Sequence, residues 1–403
     1  MASRTTHSDP VLGTRSLNRA TLARQLLLSR AAMSAEDAVA HLLGLQAQNV
    51  KPPYFQLHAR LAGFRPAELA ELMESRRVVR MVTMRSTIHT HTAQDALTLR
   101  PLVQGARDRE VGHFRKGLVG VDLERLGELA RAFVEAGPRT MGEIREELLG
   151  YWPDADPQAL SVAARCRLPL VQVTPRGVWG RSGQVRLTTL EKWLGPAAAP
   201  QEQEQERERE REQAQEQAQE QEREQVQEQA REHAQQALDA AVVRYLGAFG
   251  PASVKDMQVW AGLTRLGEAF ARLRPRLAVF RDENGVELFD LPDAPRPDPC
   301  TPAPPRFLPE FDNLLLSHAD RTRVIAPEAK GRSWSGNQAH CTLLVDGFLG
   351  GLWRLAEGTL TVELFDEPSK SQRDEIVAEG ERLIAGMGEP GGRGRVRFGS
   401  IRG

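Results

Sequence analysis

The chain has 403 residues, of which 40% are hydrophobic and 27% charged, and its formal net charge is −1. This composition predicts a globular protein of several domains, and no apolar run reaches the roughly 18 residues of a membrane span. The three cysteines form no CxxC pair, which argues against a zinc ribbon or a disulfide framework. The first ten residues are polar and resemble no signal peptide, so a cytoplasmic location is expected.

Residues 15–119 form the first predicted module, which begins as a series of amphipathic helices. Ser34 with Asp37 is typical of a helix cap with an acidic third residue. Pro52-Pro53 and Arg65-Pro66 then mark the starts of two further helices.

A polar pentapeptide, Leu45-Gln46-Ala47-Gln48-Asn49, ends the second helical run of this module. An amide side chain offers a carbonyl oxygen and an N–H group without titrating. Gln46 and Gln48, held by a helix terminus, are therefore suited to binding one water or one cationic centre together. The simpler interpretation is a solvated pair that caps the helix, with Asn49 closing the turn.

The segment from Val78 to Thr92 alternates apolar and polar residues in the manner of a strand. This pattern places Arg85, Thr87 and His89 on one face. The simpler interpretation of that face is a wing with one buried and one solvated side. His89 and His91 have the spacing of a metal-ligand pair, but no third ligand accompanies them and no metal site is predicted.

The helical order recurs in residues 120–195 and 237–295. Gly137–Ile144 and Gly250–Met257 share the pattern G-P-x-[S/T]-x-x-[D/E]-[M/I] at the start of a short helix. A third helix and a β-hairpin follow in each. The predicted hairpin strands are Leu170–Val173 with Val178-Trp179, and Leu277–Phe280 with Val286–Phe289 across the turn Asn284-Gly285. This order is that of a winged helix, and its repetition predicts tandem winged-helix modules, with the first module as another.

A low-complexity insert, residues 196–236, separates the second module from the third. Its positions 201–236 contain 13 Gln, 12 Glu and 5 Arg, and without that tract of charge −7 the chain carries +6. The tract can form a solvated helix but has no apolar face to bury. The Arg-rich remainder suits phosphate contacts, although a high-GC genome produces the same bias.

The C-terminal segment, residues 306–400, is rich in strand patterns. Strands are predicted at 307–308, 324–325, 341–345, 348–355 and 360–364, with a turn at Asp346-Gly347 and a helix at 375–387. The predicted fold class is therefore α+β, with three tandem winged-helix modules followed by a C-terminal small β-barrel-like domain.

Several motifs in this order resemble the winged-helix DNA glycosylases of the AlkZ/YcaQ type. They are Leu45–Gln48, Arg85–His89, Leu308–Asn313, and Val345–Gly347 followed by Gly351–Arg354. The resemblance covers about residues 15–195 and 237–400. It implies a concave DNA-binding surface, excision of N7-alkylated purines and, in some members, unhooking of interstrand crosslinks made by antibiotics.

The resemblance also implies the site residues. The family's catalytic motif is Gln-x-Gln or Gln-x-Asp, and this chain has Gln46-Ala47-Gln48. Gln46 is expected to stabilise the sugar or the water, and Gln48 to position the water. Residues expected to contact DNA or line the active site are Asn49, Arg85, Thr87, His89, Asp312, Asn313, Arg321 and Arg354. For Asp312 and Asn313 the alternative is a structural Asx turn, and for Arg321 and Arg354 it is pairing with Glu.

The chemistry is consistent with a Gln pair. An N7-alkylated guanine is already cationic, so its glycosidic bond breaks without a strong general acid. Neutral amides then suffice to stabilise the sugar and aim water, which predicts a monofunctional glycosylase without a cofactor or metal. The expected partner of this monomer is double-stranded DNA carrying alkylated purines, with no membrane. The alternatives are a non-catalytic winged-helix regulator and an RNA-directed or protein-interaction module.

Overall fold

The structure is a computed structural model that describes residues 9–195, 215–336, 338–388 and 394–401. The predicted absence of a signal peptide and the first part of the Gln/Glu-rich insert fall on residues 1–8 and 196–214, outside the described residues. The described chain is a mixed α+β fold, as the sequence predicts.

Short helices dominate the first segment, and several start where the sequence predicts. Its elements are β1 (Val11–Leu12), α1 (Thr14–Arg24), α2 (Ala35–His41), β2 (Leu45–Gln46), α3 (Pro52–Arg60), α4 (Pro66–Glu74), β3 (Val78–Val82), β4 (Ile88–Thr92), α5 (Ala93–Leu102) and α6 (Gln104–His113). The Ser34 hydroxyl accepts from the Asp37 N–H at 3.0 Å, which confirms the predicted cap.

The segment from Val78 to Thr92 is a hairpin and not one strand. Strands β3 and β4 pair antiparallel across a tight turn, in which Arg85 and Ser86 have φ of 54° and 57°. The prediction that Arg85 shares a strand face with Thr87 and His89 was therefore wrong. Residues other than glycine rarely adopt this left-handed conformation, so the sequence carries no signal for the turn.

The second segment begins with three helices. Its elements are α7 (Leu123–Ala136), α8 (Met141–Tyr151), α9 (Pro157–Arg167), β5 (Leu170–Gln172), β6 (Leu187–Thr189) and α10 (Leu190–Leu194). Thr140 and Glu143, the [S/T] and [D/E] positions of the shared pattern, form a capping box with reciprocal bonds of 3.1 and 2.6 Å.

The partner of strand β5 was predicted wrongly. Strand β5 pairs with β6, whereas Val178-Trp179 lies in the intervening loop. The Trp179 ring packs 4.8 Å from the ring of Tyr54 on α3, so tertiary packing, and not local turn chemistry, sets the course of this loop.

The third segment follows the predicted order. Its elements are α11 (Gln215–Phe249), α12 (Val254–Ala261), α13 (Gly267–Leu273), β7 (Ala278–Asp282) and β8 (Glu287–Asp290). Ser253 and Asp256, at the same two positions of the shared pattern, also form a capping box. The described part of the Gln/Glu tract continues without a break into the buried end of α11.

The C-terminal segment contains an open sheet. Its elements are β9 (Arg306–Leu308), β10 (Trp334–Ser335), β11 (Gln338–Ala339), β12 (Cys341–Val345), β13 (Phe348–Ala356), β14 (Thr359–Leu364), α14 (Lys370–Met387) and β15 (Arg395–Phe398). The strand order is β15-β14-β13-β12-β9, and β15 does not pair with β9, so the described residues form no closed barrel. Val324-Ile325, predicted as a strand, lies in a turn.

The first segment lies between the others. Its strands continue into the second segment in one sheet of order β2-β4-β3-β5-β6, and β1 pairs with β7 of the third. Helices α2 to α4 share a hydrophobic core with the C-terminal sheet. Strand β2, at whose end the Gln motif begins, therefore lies where several segments meet.

Candidate active site

The Gln46–Gln48 motif begins on strand β2 with Gln46 and continues into a bend at Gln48. The prediction that a helix terminus holds it was therefore wrong. After α2, Leu43 and Gly44 adopt φ of 56° and 91° and turn the chain out of the helix. The Gly44 N–H donates to the Val39 carbonyl at 2.9 Å, which closes the helix end. The glycine was the available signal, because only it adopts this conformation without a Cβ penalty.

Three groups hold the backbone at Gln46 and Ala47. The Gln46 N–H donates to Asn313 Oδ1 at 3.4 Å, and its carbonyl accepts from Gln56 Nε2 at 3.0 Å. The Ala47 N–H donates to the Ile88 carbonyl on β4 at 2.8 Å. These contacts come from three elements and fix the position from which both glutamine side chains project.

The Gln46 side chain is buried, with 4% exposure, and its carbonyl is already engaged. Its Oε1 accepts from the Arg85 guanidinium at 2.7 Å. Arg85 also donates to His89 Nε2 at 3.3 Å and to the Trp260 carbonyl at the end of α12. The Gln46 Nε2 group has no hydrogen-bond partner among the described residues, so its N–H donors are the free end of this amide.

Gln48 has a different environment. Its side chain is exposed, and its Oε1 accepts weakly from the Ile88 N–H at 3.4 Å. Gln48 and Asn49 open on a groove of about 700 Å³, whose other wall includes Glu310, Cys341 and Arg354. The two glutamines therefore have different surroundings: Gln46 is bonded to Arg85 and does not line the groove, whereas Gln48 faces the groove.

Glu310 is a carboxylate of this groove that sequence reasoning missed. Its Oε1 accepts from Asn49 Nδ2 at 3.0 Å, and its Oε2 accepts from Cys341 Sγ at 3.1 Å. Burial, with the nearby Glu310 carboxylate, raises the pKa of the Cys341 thiol well above its usual value, so the thiol remains protonated and donates. Glu310 lies inside the Leu308–Asn313 motif, which was the only sequence signal for it.

Arg85, which contacts Gln46, and Arg321, whose charge acts on Arg85, have no carboxylate partner in the described chain. Burial, with the charge of Arg321 second, lowers the pKa of Arg85 to about 10, so Arg85 stays charged at neutral pH. Burial also lowers the pKa of Arg321, which is half-buried and makes no ion pair with a described residue. Uncompensated guanidinium groups of this kind suit phosphate oxygens.

His89 and His91 are buried neutral groups. Burial, followed by the charge of Arg85, lowers the pKa of His89 well below its usual value. Since Arg85 donates to Nε2, the proton of His89 lies on Nδ1, which donates to the Thr87 carbonyl at 3.0 Å. Burial lowers the pKa of His91 to about 4. The described residues contain no group of three or more His, Cys, Asp or Glu side chains placed to bind a metal.

Asp312 and Asn313 are buried residues with structural hydrogen bonds near the Gln motif. Asp312 is fully buried and forms two 2.8 Å bonds with the Arg60 guanidinium, so as placed it cannot touch DNA or line an open site. It also caps a short 3-10 turn, as the structural alternative predicts. Asn313 donates to the Gly44 carbonyl at 2.7 Å while accepting from Gln46, and thereby joins the turn to the motif.

The remaining predicted residues divide between structure and surface. Thr87 donates to the Met84 carbonyl at 3.1 Å and closes the hairpin turn. Arg354 is exposed on β13, lines the groove with Gln48 and makes no ion pair among the described residues. Arg354 therefore remains a candidate for phosphate contact, whereas Thr87 stabilises the turn that carries Arg85.

Comparisons with protein families and with solved structures both find matches. A model of the family described as "DNA glycosylase AlkZ-like" matches residues 39–385. The fold is similar to that of Streptomyces sahachiroi DNA glycosylase AlkZ, with 19% identity, a TM-score of 0.72, and coverage of 96% of this chain and 100% of that chain. No curated protein matches the chain. None of the described helices has both the length and the apolar character that a membrane crossing requires.

Proposed function

Because the chain belongs to the AlkZ-like DNA glycosylase family, we propose that it excises N7-alkylated purines from double-stranded DNA. The observation that carries this proposal is the exposed Gln48 amide, in the bend just after strand β2, at the mouth of an open groove. The product is an abasic site. We infer a monofunctional enzyme, because none of the described residues that line the groove is a lysine that could supply an amine for Schiff-base chemistry.

The DNA-binding architecture is part of the proposal. We infer winged-helix modules at residues 15–119, 120–195 and 237–295, supported by the recurring order of helices and a hairpin. The C-terminal segment, 306–400, supplies the opposite wall of the groove through Glu310 and Arg354. A monomer suits this arrangement, because residues of one chain form both walls.

Gln48 acts on the water in this mechanism. Its carbonyl makes only one long hydrogen bond, and an amide oxygen has a second lone pair for a water proton. A water held there is aimed at C1′ as the C1′–N9 bond breaks. The bonding electrons neutralise the positive charge of the alkylated purine, so the base leaves without a strong general acid.

Gln46 requires a rearrangement before its carbonyl can face the sugar. In the structure its oxygen points at the cation of Arg85, which opposes stabilisation of a cationic sugar. A DNA phosphate competes for the same guanidinium, because charge-assisted bonds to phosphate are stronger than those to a neutral amide. We propose that phosphate binding by Arg85 and Arg321 releases the Gln46 carbonyl toward the sugar.

The open shape of the groove indicates the size of lesion that the site can accept. Gln48 and Asn49 are exposed, and the groove that they line is not an enclosed base pocket. Excision within the duplex groove, without full extrusion of the base, fits this shape, and a bulky adduct or interstrand crosslink can be accommodated. Crosslink unhooking is therefore proposed as a second activity of the same site.

The test uses duplex DNA with a single N7-methylguanine. The wild-type protein is expected to release the methylated base and leave an alkali-labile abasic site, and the Gln46→Ala/Gln48→Ala double variant to lose about 100-fold or more in single-turnover rate. Gln94→Ala is the matched control, because Gln94 is exposed on α5 and its side chain makes no hydrogen bond to a described residue. Tight sequence-specific binding without base release would instead indicate a regulator.

A further inference from the structure

We propose that Glu310 is a further catalytic residue, which takes the proton of the attacking water held by Gln48. The inference rests on the proposed function and adds a carboxylate to a site in which the motif itself has none. Glu310 and Gln48 line the same groove, and the residue after Gln48 in sequence, Asn49, is bonded directly to the carboxylate.

The orientation of the Glu310 carboxylate is fixed, and part of its acceptor capacity is unused. Asn49 donates to Oε1 and Cys341 donates to Oε2, one bond to each oxygen. An ionised carboxylate has about four lone-pair sites. Each oxygen therefore keeps acceptor capacity on a half-buried side chain in the groove.

The charge of Glu310 is uncompensated within the described chain. It forms no ion pair with a described residue, although Arg354 lines the same groove. A lone carboxylate in a groove that receives a polyanion is unfavourable unless a positive group faces it. An alkylated purine and the oxocarbenium-like sugar both supply positive charge at the reacting centre.

The proposed step conserves atoms and charge. The water oxygen forms a bond to C1′ while the C1′–N9 bond breaks, and that electron pair leaves with the purine as a neutral base. The water proton passes to the Glu310 carboxylate and afterwards to solvent. No oxidant, metal or further reactant is needed.

The experiment measures single-turnover release of N7-methylguanine as a function of pH. For Glu310→Gln, which keeps the shape and removes the charge, we expect a loss of about 100-fold or more with unchanged DNA affinity and unfolding midpoint. The wild-type rate should fall on the acid side, and E310Q should lack that dependence. Added formate should restore part of the rate of Glu310→Ala, which a purely structural role would not allow.

Two further variants separate the alternatives. Glu328→Gln removes the same charge from an exposed turn outside the groove and should behave as wild type. Asn49→Ala removes the bond to Glu310 but keeps the charge, so it should retain the acid-side dependence. If E310Q destabilises the chain, Glu310→Asp should fold, react more slowly and keep the pH dependence.

The two proposals fail in different ways. If the wild type releases base, Q48A does not, and E310Q stays within about threefold of wild type, then Glu310 is not catalytic and the proposed function stands. The same conclusion follows if E310Q is slow but keeps the acid-side dependence. If the wild type releases no base, the proposed function fails and the role of Glu310 fails with it.

Discussion

Replacing Gly44 with alanine should destabilise the protein and displace the Gln motif. Gly44 has φ of 91°, and a Cβ there would overlap Nδ1 of His91 and lie 3.0 Å from the Thr90 carbonyl oxygen. A left-handed conformation costs a residue with a Cβ about 1–2 kcal/mol, and overpacking a well-filled site adds about 1–3 kcal/mol. We expect Gly44→Ala to lower the free energy of unfolding by about 2–5 kcal/mol, measured by urea denaturation.

A second glycine provides the matched control. Gly63 also has a positive φ, 69°, but a Cβ there meets nothing within 4 Å. Gly63→Ala should therefore show only the conformational cost of about 1–2 kcal/mol, and the difference between the variants isolates the steric overlap. Because Gly44 precedes β2, its variant should also lose base release. Equal stability changes in the two variants would refute this reasoning.

Three further predictions follow from buried ion pairs, buried histidines and the groove. Arg60→Met should lower the free energy of unfolding by about 3–5 kcal/mol, because it leaves the buried Asp312 carboxylate unpaired. The Arg60→Met/Asp312→Leu double variant should recover stability, and no recovery would exclude the unpaired carboxylate as the cause. Stability should fall as pH drops from 6.5 toward 4, because burial lowers the pKa of His58 and of His91 to about 4, so protons bind the unfolded chain first. By pH 5 each of these two histidines lowers the free energy of unfolding by about 2 kcal/mol relative to neutral pH. An unfolding midpoint in urea that stays constant from pH 6.5 to 4 would contradict this prediction. Arg354→Ala should weaken DNA binding at all sequences and reduce the slope of log affinity against log salt by about 1, whereas an unchanged slope would place Arg354 away from phosphate.

Local signals predicted much of the secondary structure. The Ser34 cap, the Thr140 and Ser253 capping boxes and the Asn284-Gly285 turn are all present. Each depends on atoms a few residues apart, so the local sequence determines it. The open C-terminal sheet could not be told from a barrel, because closure depends on whether distant edge strands pair.

The environment of the site depends on long-range contacts, which the local sequence does not show. Arg85 reaches Gln46 across 39 residues, from a turn that contains no glycine. Glu310 reaches Asn49 across 261 residues. Nothing in the pentapeptide shows that Gln46 contacts an arginine and that Gln48 faces a groove with a carboxylate. The roles proposed for the two glutamines differ because of this difference in environment.

Base release from a defined lesion tests the central claim most directly. The purified full chain is incubated with a duplex that carries one N7-methylguanine, and free base and abasic sites are quantified under single-turnover conditions. The account predicts stoichiometric base and abasic site from the wild type, and a loss of about 100-fold or more in the Gln46→Ala/Gln48→Ala variant with DNA binding retained. Undiminished release by that variant, or no release by a wild-type protein that binds the duplex, would contradict it.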